Sequence, residues 1–509
     1  MKKILTLLSA FFILMAPVQA QNANRAKFIT DSLASYINRA LTNWRIPGAA
    51  VCIVKDDKVV FMKGFGIKEL GLNNKVDENT LFMIGSNTKA FTATAIAMLA
   101  NEKKLSLDDK VTKYIPEFKL DSKPATELVT VRDLLCHRLG FQTFQGDFTF
   151  YNSNLSRSEI ISHMALIKAP YEFRTKWGYT NSAFLTAGEI IPKVTKQNWD
   201  IYLKEKIFSP LGMGNTLGLS VAMTKAINRA VPHTIADGRL IAIPYAGLDN
   251  MAPAMSISST ANDMSKWVLA LLNSGKVGKR EVIPDAAIQA TSQQQDIVGS
   301  VTHLDGEVNY QLYGLGWFLQ DYHNHRIVMH DGGVSGYVSS VTLVPQDKLG
   351  IVILTNTDQN SLYEALRWEI MDACFKLPYR NYSDNYLKEE KKYTTDAMAT
   401  DKKLRDSVLL NPRPAQSISY YTGKFSNPLY GSVNIAMGEN NTLDMRFEHH
   451  PKMFARLQPL GGNRFYATFS DPVFGKSVFN FIVQPNGKVT GVRVKAADFI
   501  ERGVYEFTR

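Results

Sequence analysis

Ser86 and Lys89 stand three residues apart in Phe82-Met83-Ile84-Gly85-Ser86-Asn87-Thr88-Lys89. They head the run Ala90 to Ala100, so apolar on every side that its helix must be buried. At i and i+3 a hydroxyl and an amine share one helix face, close enough to exchange a proton directly or through one further group. Ser, Asn and Thr before a helix are also ordinary N-caps, and Ser-x-x-Lys recurs by chance. Lys89 argues for chemistry. A charged amine at the head of a buried helix is costly unless paired, and desolvation lowers its pKa toward that of a useful general base.

Tyr179 and Asn181 lie in Lys176-Trp177-Gly178-Tyr179-Thr180-Asn181, a glycine-containing turn before the helix-like Ala183 to Ile191. A phenol ionises near pH 10, so it acts as a base only beside a cation such as Lys89. The alternative is an aromatic plug with a capping Asn. The third stretch, Met329-His330-Asp331-Gly332-Gly333-Val334-Ser335-Gly336-Tyr337, follows the apolar strand Ile327 to Met329. Gly332 and Gly333 let a substrate approach the backbone, and a strand-edge N–H can donate to a developing oxyanion. A plain hairpin turn is the competing reading.

These residues need a scaffold. Apolar positions at Phe28, Ile29, Leu33, Tyr36, Ile37 and Leu41 mark a helix over Ala26 to Trp44. Ala49 to Val54 and Val59 to Lys63 read as a hairpin around Lys55-Asp56-Asp57-Lys58. A mostly helical, loop-rich stretch runs from about Ser86 to Ser274. Strand signals return at Tyr313 to Leu319, Arg326 to His330, Tyr337 to Val344 and Gly350 to Thr355, and a helix from Ser361 to Phe375 closes the unit. Strands at both ends with helices between them imply an α+β domain whose antiparallel sheet joins the two sequence extremes. Charged and polar residues dominate Tyr379 to Ala415, as in a solvated helix and linker. Beyond Ser417 the runs are short, alternating and aromatic, which predicts a small all-β domain. The expected division is a leader at 1–20, a main domain at 21–380, a linker at 381–415 and a β-rich domain at 416–509.

The 509 residues suffice for two to four folding units, and 45% hydrophobic with 21% charged residues excludes disorder and fibrous repeats. The formal charge is +11, but the basic residues are dispersed, so nucleic acid is not expected as a partner. Lys2 and Lys3, the apolar run Ile4 to Ala16 and Val18-Gln19-Ala20 predict a cleavable signal and a periplasmic or secreted protein. The run is short for a bilayer span and no cysteine follows the expected cut, so no stable membrane anchor is expected. Cys52, Cys136 and Cys374 form no disulfide framework, and adjacent His449-His450 would point to opposite faces of a strand. No metal and no organic cofactor are expected.

Together, Ser86-x-x-Lys89, Tyr179-x-Asn181 and His330-x-Gly332, in this order, resemble the motifs of the penicillin-recognising serine hydrolases, in particular the class C β-lactamase, D,D-peptidase and esterase superfamily. Connecting segments such as Val129 to His137, Ile207 to Met213 and Ser258 to Met264 share the resemblance, which covers about Asn24 to Phe375. The tail from Tyr420 is similar to a lipocalin-like β-rich accessory domain often appended to such hydrolases. The resemblance implies a β-lactamase/transpeptidase-like fold and an acyl-enzyme pathway. Ser86 would be the nucleophile, Lys89 its proton acceptor, and Tyr179 the group that protonates the leaving group and later activates water. Asn181 would orient Lys89 and the substrate, the N–H groups of Ser86 and Gly333 would bind the oxyanion, and His330 would supply a donor near Tyr179.

His330-Asp331 stands where the family's β-lactamases commonly have Lys-Thr, and an Asp331 pointing into the cleft would repel a substrate carboxylate. Ala254-Met255 replaces glycines frequent in relatives. Ester, amide or D-amino-acid peptide cleavage is therefore expected ahead of β-lactam hydrolysis, with a small ester, amide or peptidoglycan-derived peptide as substrate. The alternatives are an acyltransferase using an alcohol or amine acceptor, and a non-catalytic penicillin-binding or sensor protein.

Overall fold

The computed structural model describes residues 27–509, so the leader expected at 1–20 lies outside the described residues. Phe28–Ser32 forms one π-helical turn and Leu33–Trp44 an α-helix that stops at Arg45, which has a left-handed backbone. The helix buries Leu33, Tyr36, Ile37, Ala40, Leu41 and Trp44, the one-sided stripe its periodicity dictates. Gly48–Lys55 and Lys58–Gly66 then pair as a hairpin. Its turn residues Asp56 and Asp57 both have positive φ, the backbone that matches strand twist across a two-residue loop.

Gly48–Lys55 pairs on its other side with Leu349–Thr355, which brings the two ends of the domain together. The sheet continues through Tyr337–Val344, His325–Val334, Phe318–Tyr322, Val308–Tyr313 and Asp296–Thr302, giving eight antiparallel strands among the described residues. Alternation divides the central strands between two cores. Ala49, Val51, Ile53, Ile351 and Ile353 face the first helix and Leu362–Cys374, while Ala50, Cys52, Val54, Val352 and Leu354 face the inserted helices.

Two readings change. Tyr313 to Leu319 is not one strand, because the chain turns at Gly314 to Trp317 between two paired strands. The outer strand Asp296–Thr302 went unforeseen, since it is largely exposed and its sequence carries little of the apolar alternation of a buried strand. The stretch read as a solvated helix and linker contains one 28-residue helix, Tyr382–Leu409. It is tied to the main domain by Trp44 Nε1 donating to Ser383 Oγ at 3.0 Å and to the tail by the Tyr466–Asp401 hydrogen bond.

The tail closes into an eight-stranded antiparallel barrel running from Gly423–Asn427 to Tyr505–Thr508. Buried Phe425, Phe447, Phe465, Phe479, Phe481 and Phe507 occupy its interior, as side chains do in barrels of this size.

Candidate active site

The segment that carries Ser86 is locked before the helix begins. Gly85–Asn87 is a 3₁₀ turn running into the helix Thr88–Asn101, with Gly85 at φ +53°. It lies against the strand His325–Val334 so closely that a Cβ on Gly332 would sit 1.9 Å from the Ile84 carbonyl oxygen. Ser339 Oγ donates to that carbonyl at 2.7 Å, and Asn87 Nδ2 donates to Ser339 Oγ at 2.8 Å. Ser86 is thereby set beside the backbone of Gly332 and Gly333.

Lys89 is fully buried one turn below. Its Nζ lies 3.0 Å from Ser86 Oγ, 2.6 Å from Asn181 Oδ1 and 3.0 Å from the Ala254 carbonyl oxygen. Burial drives its pKa well below the usual amine value, against a weaker upward pull from Asp147. The Tyr179 ring lies 4.5 Å from Nζ. Burial raises the Tyr179 pKa, a push that neighbouring Ser86 only partly offsets, so the phenol keeps its proton. The buried hydroxyl lies near Ser86 but makes no hydrogen bond of full geometry. An unsatisfied phenol in a cleft is a group awaiting a partner.

Asn181 starts the helix Asn181–Thr195. Its Nδ2 donates to Asp147 at 2.5 Å, and burial raises the Asp147 pKa to about 8.

His330 differs from expectation. Its Nε2 is 3.3 Å from Tyr313 Oη and its Nδ1 2.6 Å from the Asp331 carbonyl oxygen. Tyr313 Oη is also 3.2 Å from His137 Nε2, and His137 Nδ1 accepts from Thr180 N–H at 3.0 Å. The directions assign themselves along this chain: His137 donates to Tyr313, Tyr313 to His330, and His330 to Asp331. Both His330 nitrogens are thus engaged, and burial lowers its pKa to about 3. It lines the cleft as a neutral ring and offers Tyr179 no free donor.

Asp331 also differs. It lines the cleft, but Arg367 Nη1 donates to both its oxygens at 2.7 and 3.0 Å. The expected repulsion therefore comes from a carboxylate already held by a buried guanidinium. The carbonyl of Ala254, one of the residues replacing glycines, directly accepts from Lys89.

The cleft encloses about 400 Å³. Phe144, Trp177, Met255, Phe318, Phe499 and Ile500 give it an apolar wall, and its acidic lining residues are Asp147, Asp331 and Asp358. No Lys or Arg is among the described residues that line it. The structure brings Ser86, Lys89, Tyr179, Asn181, His330, Gly332 and Gly333 to one place. Sequence reasoning missed Asp147, Tyr313, Phe499 and Ile500 and gave His137 no role. His137 closes the segment Val129 to His137 that shares the resemblance, whereas Asp147, Tyr313, Phe499 and Ile500 lie in none of the segments quoted for it.

The family model described as Beta-lactamase matches residues 33–374, about two thirds of the chain. The chain belongs to the beta-lactamase family. Members of that superfamily are generally serine hydrolases, and the antiparallel sheet with inserted helices described above is its fold. A second model, a domain of unknown function termed DUF3471, matches residues 410–508, the barrel and its approach. Among relatives, the "Unguisins hydrolase ungD'" of Aspergillus campestris is 27% identical over 82% of this chain and 79% of its own length. "Protein flp" of Staphylococcus aureus (strain COL) is 29% identical over 67% of this chain and 66% of its own length. The octameric penicillin-binding protein homologue from Pyrococcus abyssi superposes with a TM-score of 0.61 at 20% identity, covering 94% of this chain and 99% of that one. That likeness concerns the fold.

Proposed function

We propose that this beta-lactamase family member hydrolyses uncharged ester or amide bonds through an acyl-enzyme on Ser86, outside the cytoplasm. The observation that carries the reading is the buried Lys89 amine, 3.0 Å from Ser86 Oγ and bound to two carbonyl oxygens. A neutral amine has two hydrogens and one lone pair. Asn181 Oδ1 and the Ala254 carbonyl take the hydrogens, leaving the lone pair for the Ser86 proton.

Ser86 Oγ attacks the substrate carbonyl carbon as its proton passes to Lys89. The N–H groups of Ser86 and Gly333 receive the oxyanion, a contribution for which one lost donor typically costs about 10²–10³ in rate. On collapse the bond to the leaving group breaks, Tyr179 protonates that group, and the Lys89 ammonium restores the phenol's proton. Water then attacks the acyl-ester, its proton passes by way of Tyr179 to Lys89, and Ser86 leaves and recovers a proton from Lys89. His330, Tyr313 and His137 hold the wall behind Tyr179 in one neutral tautomeric arrangement.

The aromatic wall and the lack of a lining cation favour apolar, uncharged acyl groups over substrates bearing a carboxylate, such as penicillins. The printed name of the Aspergillus relative supports the hydrolase class and leaves the substrate of this chain open. The apolar lining also suits an alcohol acceptor, so acyl transfer is the second reading. Export rests on the leader-like residues Lys2 to Ala20.

The test offers a chromogenic short-chain ester, a chromogenic cephalosporin and a D-amino-acid anilide to the wild type and to Ser86→Ala. Ester turnover abolished by Ser86→Ala, with weak cephalosporin turnover, is expected. Rapid cephalosporin turnover would overturn the neutral-substrate reading. Stoichiometric Ser86 labelling without turnover would replace the hydrolase by a sensor. Added alcohols that divert product to a new ester would favour transfer.

A further inference from the structure

Residues 147–154 lie between the two domains and are bonded to both. Phe148 is buried, and its ring lies in the barrel, 5.0 Å from Tyr430 and 5.0 Å from Tyr505 between centroids. Its backbone N–H donates to Glu501 Oε2 at 2.9 Å, and Tyr505 Oη donates to the same oxygen at 2.9 Å. At the other end, His450 Nε2 is 2.9 Å from the Tyr151 carbonyl oxygen and Asn154 N–H donates to the His449 carbonyl at 2.9 Å. The opposite side of the segment serves the cleft. Asp147 accepts from Asn181 at 2.5 Å. Tyr151, one turn on, meets Ser335 through its hydroxyl at 2.8 Å, in the hairpin just beyond Gly333.

Asn181 has a symmetrical-looking amide that could place either oxygen or nitrogen against Lys89. Asp147 Oδ2 accepts from Nδ2 at 2.5 Å, and that contact holds the amide in the orientation that presents Oδ1 to Lys89 at 2.6 Å. The lone-pair direction of Lys89 follows from that choice. We propose that the C-terminal barrel is a working part of the catalytic site: by enclosing Phe148 and receiving its N–H on Glu501, it holds Asp147 against Asn181, and Asp147 is the positioning residue for Lys89. Phe499 and Ile500, from the same barrel segment as Glu501, line the cleft itself. The barrel, read from the sequence as accessory, thus supports the amine and walls the substrate space.

This rests on the proposed Ser86 acylation, and the experiment separates the two. Full-length wild type, Asp147→Leu, Asp147→Asn and Phe148→Ala are compared for kcat and KM on the chromogenic ester and for the rate of Ser86 labelling by a fluorophosphonate, with folding checked by circular dichroism. Asp147→Leu fills the space without an acceptor, and displaced catalytic groups typically cost about 10²-fold, so kcat and labelling should fall by about that factor at little-changed KM. Asp147→Asn can still present an oxygen to Asn181 and should recover to within about tenfold of wild type. Folded Phe148→Ala should reproduce the loss although the residue touches no substrate. If either Asp147→Leu or Phe148→Ala does not fold, Asp147→Ala or Phe148→Leu takes its place, with a kcat loss at constant KM still expected. Wild-type kcat in folded Asp147→Leu or Phe148→Ala, or in the variant that replaces either, overturns the inference. Wild type that is not labelled at Ser86 overturns the acylation reading instead.

Discussion

Lys89 Nζ and Asn181 Oδ1 are 2.6 Å apart in the interior, where burial disfavours the charged form of the amine. In the proposed acylation that contact makes the amine a directed base rather than a diffuse charge, because it consumes one hydrogen and helps aim the lone pair at Ser86.

Replacing Lys89 by Met or Arg should reduce acylation by about 10²–10⁴, the usual contribution of a positioned acid or base. Arg fails because it stays protonated. Single-turnover labelling of Ser86 measures the loss, and a variant within a few-fold of wild type would remove Lys89 from the mechanism.

Asn181→Asp places one carboxylate between Lys89 and Asp147, with one oxygen toward each. An opposite charge favours the ammonium, so the Lys89 pKa should rise and the acylation rate should climb only at higher pH than in wild type. A kcat/KM profile against pH reads the shift. An unchanged ascending limb would mean that another group controls it.

Gly332→Ala forces a Cβ to within 1.9 Å of the Ile84 carbonyl, a backbone atom that cannot rotate away. Overpacking of this kind typically costs about 1–3 kcal/mol, and here it also displaces the turn carrying Ser86. Urea unfolding should show the loss together with a lower kcat.

His450 joins the domains through Tyr430 and the Tyr151 carbonyl, and burial lowers its pKa from 6.5 to about 4. Above pH 6.5 both folded and unfolded forms are neutral and its contribution is complete. Below 6.5 the unfolded form binds a proton that the folded form refuses, so stability falls with pH down to about 4. The slope from this one residue is about 1.4 kcal/mol per pH unit inside that window. Urea unfolding between pH 7.5 and 4.5 tests it, and His450→Gln should flatten the curve by about one proton's worth.

Phe499→Ala should widen the acyl site, so longer or branched esters gain in kcat/KM relative to acetyl esters. A methylene in an apolar pocket is worth about 1–3 kcal/mol, so a chain-length series should move its optimum visibly. An unchanged series would place the acyl group elsewhere in the cleft.

Ser86 and Lys89 were legible in the sequence because helix periodicity alone puts residues three apart on one face, and the apolar run after them requires burial. The α+β order, the paired sequence extremes and the β-rich tail were likewise written in local apolar periods and turn residues. Tertiary structure decided what lies across long separations: the Asp147 carboxylate under Asn181, the Tyr313 link between His137 and His330, Arg367 on Asp331, and a barrel that grips Phe148. Such contacts leave no local trace, since a side chain's partner depends on which strand face it occupies and which distant segment packs there. Burial then set the chemistry, lowering the amine and holding the phenol protonated, and burial belongs to the assembled fold.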